Sequence, residues 1–288
     1  MLTVVGFVVV MGSVIGGFMM AGGHVGALIH PSEIVTIGGS ALGALIVMSP
    51  MHVLKDLVRG ILGTFKGNPF GRRTYEELFQ LLYQLFRKAR REGLLSIEPH
   101  MTNPHESAIF NRYSTIAHNH HIVDFLKGAI GPVIDGSVNA SQLALLLDVE
   151  IKSGEEAHHA PTGILSKTAD GLPGFGIVAA VLGIVVTMEH IGGPVEEIGH
   201  KVGAALVGTF LGILLSYGFI APLVVKLEMM GVNEANLLKT IALAITSFMN
   251  DMPPKVAVDA ARRGSPPDVR PSAARLAEML KEVDSYPE

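Results

Sequence analysis

Residues 202–225 read VGAALVGTFLGILLSYGFIAPLVV, an uncharged run closed at each end by a lysine, Lys201 and Lys226. A helix rises ~1.5 Å per residue and the hydrocarbon core of a bilayer is ~30 Å thick, so ~20 apolar residues cross it. The run therefore reads as a membrane-spanning helix, and three further stretches share its character. Leu2 to Ala21 carries no charge, Ile34 to Met51 is uncharged after Glu33, and Gly171 to Met188 is uncharged between Asp170 and Glu189. The second and third runs are short and cross with little tilt or a borrowed flank. A cleaved signal peptide is the competing reading of the first run, but it has no basic n-region and no A-x-A site. Four spans are predicted.

Composition agrees with a membrane protein. Charged residues make up 17% of the chain and mean hydropathy is +0.43, whereas a soluble domain carries ~25% charge. The net charge of −4 argues against a nucleic-acid partner, which needs a basic footprint. Cysteine is absent, which excludes disulfides, thiolate nucleophiles and zinc-thiolate sites. Tryptophan is absent too, so interfacial anchoring falls to Tyr, Phe, Lys and Arg.

Thirteen Lys/Arg lie in residues 52–170 and eight in 226–288, leaving only Lys201 elsewhere. By the positive-inside rule those two segments are cytoplasmic, as are both termini. The expected organisation is spans 1 and 2 in 1–51, a large cytoplasmic helical domain in 52–170, spans 3 and 4 in 171–225 and a cytoplasmic helical tail in 226–288. In the large segment, Thr74 with Glu77 reads as a capping box. The helix that follows has Leu78, Leu81, Leu82 and Leu85 on one stripe, and Gly93 stops it. Asn103-Pro104 is a second start signal. Ala140 to Glu156 reads as a helix ended by Gly154. The tail offers Asn233 to Phe248, a short helix from Pro253-Pro254 to Arg263, a linker at Gly264-Ser265-Pro266-Pro267 and a last helix capped by Ser272. No internal repeat and no strand-like alternation is present, and the fold class is all-α.

The uncharged runs hold no ionisable residue; their polar groups are Thr3, Ser13, Thr36, Ser40, Ser49, Thr187, Thr209, Ser216 and Tyr217. An ion route across a membrane usually needs an ionisable group, so either the chain conducts nothing or a partner supplies the carboxylate. Gly12-x-x-x-Gly16, Gly39-x-x-x-Gly43 and Gly208-x-x-x-Gly212 suit close helix contacts, although glycine is common in membrane helices. Pro173 and Pro222 each remove a backbone donor near one end of a span, which serves as a terminal kink or as a hinge. His118-Asn119-His120-His121 and His158-His159 lack ligand spacing, so no metal is expected and they read as solvated side chains. Without G-x-S-x-G or a P-loop the chain is not expected to be an enzyme, and no cofactor is implied.

Several ordered motifs carry a resemblance. They are the glycine-rich first span with its Gly22-Gly23 turn, Ala27-Leu28 and Pro31-Ser32-Glu33. Further along come Gly93-Leu94-Leu95-Ser96-Ile97-Glu98, Leu172-Pro173-Gly174-Phe175-Gly176-Ile177 and the run from Val207 to Gly218. From the first residue to about Arg263 the chain resembles flagellar stator A subunits of the proton type, called MotA, within the MotA/TolQ/ExbB group. The resemblance implies five A chains around two MotB-type single-span chains, each bringing the membrane Asp missing here. It also implies a place in the bacterial inner membrane among its lipids, and rotation that drives the rotor protein FliG.

By the same resemblance, Arg90 and Glu98 are the rotor-contact charges, with Glu150 a weaker candidate. On residue grounds alone Arg87, Lys88, Arg90 and Arg91 complement a helix dipole. Pro173, Ala180, Thr209, Tyr217 and Pro222 fall to ion pathway and coupling. Sodium-type relatives carry a hydroxyl at the position matching Ala180, so proton coupling is expected, with Thr209 and Tyr217 lining the route; a hydroxyl bonded back to its own helix is the competing reading of Thr209. Alternatives are a TolQ- or ExbB-like energising subunit, a sodium-coupled PomA-type stator, or a non-conducting scaffold.

Overall fold

Each uncharged run folds as a helix, because a backbone surrounded by lipid must satisfy its own N–H and C=O groups. The computed structural model describes residues 2–286, and all regular structure in that range is helical. Met1, Pro287 and Glu288, at the ends of the first and last expected segments, lie outside the described residues. Four helical stretches are long and apolar enough to span a membrane: Leu2–Met20, Val25–Met48, Ala140–Met188 and Val195–Met249. In contact terms the chain forms two units. One joins the residues up to Gly67 with Ala157–Met229; the other joins Asn68–Glu156 with the residues from Met230 on.

The first unit contains α1 (Leu2–Met20), α2 (Pro31–Met48), α3 (Met51–Lys66), the later part of α8 (Ala140–Met188) and α9 (Val195–Ile213). A π-helical stretch, Leu214–Ile220, leads from α9 into α10 (Ala221–Met249). No residue of α1 is buried, and its valines 4, 5, 8 and 9 are all exposed. Such an apolar exterior needs lipid or other chains to cover it. Inside, Ile37 and Ala41 of α2 pack on Leu172 and Ala179 of α8. Glycine sets the separation of α8 and α9. A Cβ on Gly212 would stand 2.6 Å from the Leu172 carbonyl oxygen, and one on Gly176 would stand 2.8 Å from that of Gly208.

The second unit has a conventional apolar core. Its centre is α4 (Arg72–Glu92), which buries Tyr75, Leu78, Phe79, Leu81, Leu82, Leu85 and Phe86. Around it lie α5 (Glu98–Thr102), α6 (Ser114–Ala117), α7 (His120–Ile134) and the tail helices α11 (Pro254–Gly264) and α12 (Ala273–Asp284). Phe86 stacks on Phe248 with ring centroids 4.4 Å apart. The tail is an integral part of this core. Ser272 caps α12 by accepting from the Arg275 N–H, and Leu276, Met279, Leu280 and Val283 are buried. Asp284 then accepts from the Tyr83 hydroxyl at 2.7 Å, Arg87 at 2.9 Å and Lys255 at 3.3 Å. Burial raises its carboxyl pKa, but the three donors outweigh that and leave it below the ordinary value.

Several local expectations are corrected. α2 stops at Met48, because Pro50 forces an extended backbone, and Met51 starts α3. The Thr74–Glu77 capping box does not form: the helix starts at Arg72, Thr74 Oγ1 donates to the Pro69 carbonyl, and Glu77 accepts from Thr115. Asn103 precedes only a 3₁₀ turn and caps nothing with its side chain. Gly154 does not end a helix; α8 runs through it and through Pro161 and Pro173. Pro173 is therefore interior to its helix and not terminal, and Asn233 to Phe248 is the continuation of α10. His121 Nδ1 lies 3.1 Å from Glu234 Oε1.

The glycine pairs also divide. Added Cβ atoms at Gly12, Gly16, Gly39 and Gly43 meet nothing within 4 Å among the described residues, so of the three pairs only Gly208 and Gly212 serve helix packing within the chain. Gly212→Ala should cost about 1–3 kcal/mol through overpacking against backbone, read as a lower melting temperature of the purified complex. Gly39→Ala should leave that temperature unchanged. Equal losses from both would mean that the α8–α9 approach is not the limiting contact.

Candidate functional site

The crossing of α8 and α9 holds two of the five expected pathway residues, Ala180 and Thr209. A Cβ placed on Gly208 would stand 3.2 Å from the Ala180 N and 3.1 Å from the Ala179 Cβ; one on Gly176 would stand 3.3 Å from the Thr209 Cα. Ala180 thus faces Gly208 across the crossing, and Thr209 faces Gly176, one turn before Ala180 on α8. Thr36, Thr168 and Thr187 return their hydroxyls to their own helices. Among the described residues, Thr209 makes no such bond. Tyr217, on the π-helical stretch, points away from the packing and is 68% exposed. Pro222 stands in the first turn of α10, where the π register gives way to the α register.

One functional candidate was missed from sequence. Glu33 had been taken as the acid flanking the second span, yet it lies in the first turn of α2 and is only 6% exposed. Its Oε2 is 2.8 Å from the point where Gly208 would carry a Cβ, so the glycine makes room for the carboxylate. Glu33 and His30 lie in the helical stretch Val25–Met48, ahead of the uncharged run from Ile34. An acid in the first turn of a helix is favoured by the dipole, and that bland local role masked the deeper position.

The rotor-contact candidates belong to the second unit. α4 ends at Gly93, whose φ of +90° suits glycine. The cations before it have partners within the unit: Arg87 bonds Asp284, Lys88 bonds Glu92 at 2.6 Å, and Arg90 donates to Asp251 at 3.2 Å. Asp251 has φ +60° and follows α10 in a Schellman-type turn, with its N–H on the Phe248 carbonyl and that of Met252 on Ser247. Glycine or Asn is preferred there, and an acid at a helix C-terminus opposes the dipole. The Arg90 pair offsets part of both penalties. Glu98 opens α5 in an exposed position with no ion pair among the described residues. Nearby, burial and then Lys88 lower the pKa of His100, which keeps the ring neutral and bonded to Ser107 at 2.8 Å. Glu150 is apart from these charges on α8, with Oε2 3.9 Å from the Cβ position of Gly128 on α7.

Residues 4–93 match the family described as Motility protein A N-terminal, and residues 117–239 match the MotA/TolQ/ExbB proton channel family. The chain is 37% identical to motility protein A of Salmonella typhimurium, over 98% of this chain and 96% of that one. It belongs to the motility protein A family. Motility protein A of Escherichia coli is 35% identical over the same shares. Among solved structures, MotAB from C. jejuni aligns with a TM-score of 0.78 over 94% of this chain and 98% of that chain, at 21% identity. The MotAB stator complex of Bacillus subtilis gives 0.74 over 89% and 92%, at 25% identity. As a family member the chain is a membrane-embedded channel subunit of the flagellar stator and not an enzyme.

The position of Glu33 generates a direct test. Glu33→Gln keeps the shape and removes the charge, while Gly208→Ala places a methyl group where the carboxylate lies. Both should slow swimming several-fold while the protein still inserts and assembles, since an ionisable group inside a membrane bundle marks function by default. Wild-type speed for Glu33→Gln across external pH would return Glu33 to the role of a helix-start acid.

Proposed function

We propose that the chain is the A-type subunit of a proton-driven stator in the bacterial inner membrane. Five copies surround two MotB-type single-span chains, with both termini of the A chain cytoplasmic and lipid against the apolar face of α1. The partner's membrane Asp takes the proton, and the route to it passes Thr209 and Tyr217 beside Ala180. Pro173 and Pro222 act as hinges that turn protonation into helix movement, and Arg90, Glu98 and, more weakly, Glu150 engage FliG. The observation that carries this reading is the α8–α9 crossing, where Ala180 meets Gly208 and Thr209 meets Gly176, so that both residues flank one close contact.

Sodium needs several oxygen ligands to replace its hydration shell, whereas a carboxylate takes a proton with far less help. A hydroxyl-poor crossing therefore supports proton coupling over a PomA-type sodium route. The match of residues 4–93 to the motility protein A N-terminal region supports a rotor-driving subunit over a TolQ- or ExbB-like one. Charges across a wet, transient contact steer and position partners more than they add affinity, which suits the exposed Arg90 and Glu98.

Two experiments test the two halves. Arg90→Glu or Glu98→Lys should reduce swimming without unfolding the membrane unit, and a complementary charge reversal on FliG should restore part of it. Normal swimming by both single variants would sink the rotor-contact assignment. For the ion, speed should be indifferent to external sodium at fixed pH and should collapse with a protonophore. A speed that tracks sodium concentration would replace the proton reading with the sodium one.

A further inference from the structure

In an α-helix the N–H of residue i+4 bonds the carbonyl of residue i, so Pro173, which has no N–H, leaves the Ala169 carbonyl without its helical partner. Ala169 is only 3% exposed, so bulk water does not replace that donor and the group must be satisfied by protein. The structure supplies one from another helix. Ser216 Oγ donates to the Ala169 oxygen at 2.7 Å, and Ser216 is only 1% exposed. Ser216 sits within the π-helical stretch Leu214–Ile220. Its neighbour Tyr217 is 68% exposed, so the stretch turns one hydroxyl inward and the other outward. π-Helical turns of this kind recur at functional sites.

We propose that Ser216 is a positioning residue for ion coupling, a hydroxyl latch that closes the gap opened by Pro173 and ties span 3 to the π-helical turn of span 4. The latch has two settings. Across the helices the hydroxyl donates to the Ala169 carbonyl; rotated about χ1, it donates back to the Gly212 carbonyl of its own helix, as serines in membrane helices do. In the second setting the Ala169 oxygen is released to accept from a permeating hydrated proton or its water, and α8 is free to bend at Pro173. No bond other than hydrogen bonds is exchanged. The coupling half of this inference rests on the hinge reading of Pro173; the latch itself rests on geometry alone.

A thermal cycle on the purified stator complex tests the latch. Ser216→Ala should lower the melting midpoint by about 2–4 °C. Pro173→Ala restores an N–H to the Ala169 carbonyl, so in that background Ser216→Ala should shift the midpoint by less than about 1 °C, the mark of two residues serving one acceptor. Equal losses in both backgrounds would overturn the latch. Bead-rotation records on single motors test the coupling. Each Ser216→Ala unit should turn the motor at about half the wild-type low-load speed or less while keeping its stall torque, because the rotor contact is untouched. If only the number of working units falls, with per-unit speed unchanged, the bond is structural and the coupling role is wrong. Normal motility of Pro173→Ala would count instead against the hinge reading, and the thermal cycle would still stand or fall by itself.

Discussion

The close approach of α8 and α9 is the constraint on which the membrane unit depends. In lipid there is no hydrophobic force to drive helices together, so association relies on packing and on bonds between helices. Gly176, Gly208 and Gly212 let two backbones meet at a separation that a single methyl group would abolish. Three consequences follow from that one contact. The Glu33 carboxylate fits over Gly208, Ala180 comes against Gly208 and Thr209 against Gly176, and Ser216 reaches the Ala169 carbonyl. A looser crossing would keep the four spans and lose all three.

The architecture was legible in the sequence because the bilayer imposes a length and a polarity that composition records directly. Four uncharged runs gave four spanning helices, and Gly93 and Ser272 ended and began helices as their local chemistry requires. Failures came where local rules were applied across a long helix. Gly154 carries no penalty large enough to stop α8, since glycine costs a helix ~1 kcal/mol and Leu143, Leu147 and Ile151 already bind its early turns to a core. Thr74 and Glu77 have the spacing of a capping box, but Pro69 and Thr115 offered better partners, and Thr115 lies outside any local window.

The site was legible in a more uneven way. Ala180 and Thr209 are far apart in the chain, and the resemblance to stator subunits named them; the structure puts them on the two helices of the glycine crossing, against Gly208 and Gly176 respectively. Glu33 was overlooked because charge was used to mark where a span ends. That rule fails for a carboxylate at a helix start, where the dipole tolerates it and a glycine on another helix houses it. Asp251 was invisible for a related reason. Its left-handed backbone conformation and its bond to Arg90 exist only once α10 has ended beside α4.

The three prolines in the long helices show how solvent decides what a missing donor means. Pro161 frees the Ala157 carbonyl among the exposed residues His158, His159 and Ala160, where water can serve as donor. Pro173 frees the Ala169 carbonyl where both Ala169 and Ser216 are buried, and only a side chain can answer. Pro222 stands just past a π-helical stretch whose own bonds already skip one residue further along the chain. The same chemical defect is therefore neutral in the first case, a fixed link between helices in the second and a change of register in the third. In each case the chain continues through the defect in helical form.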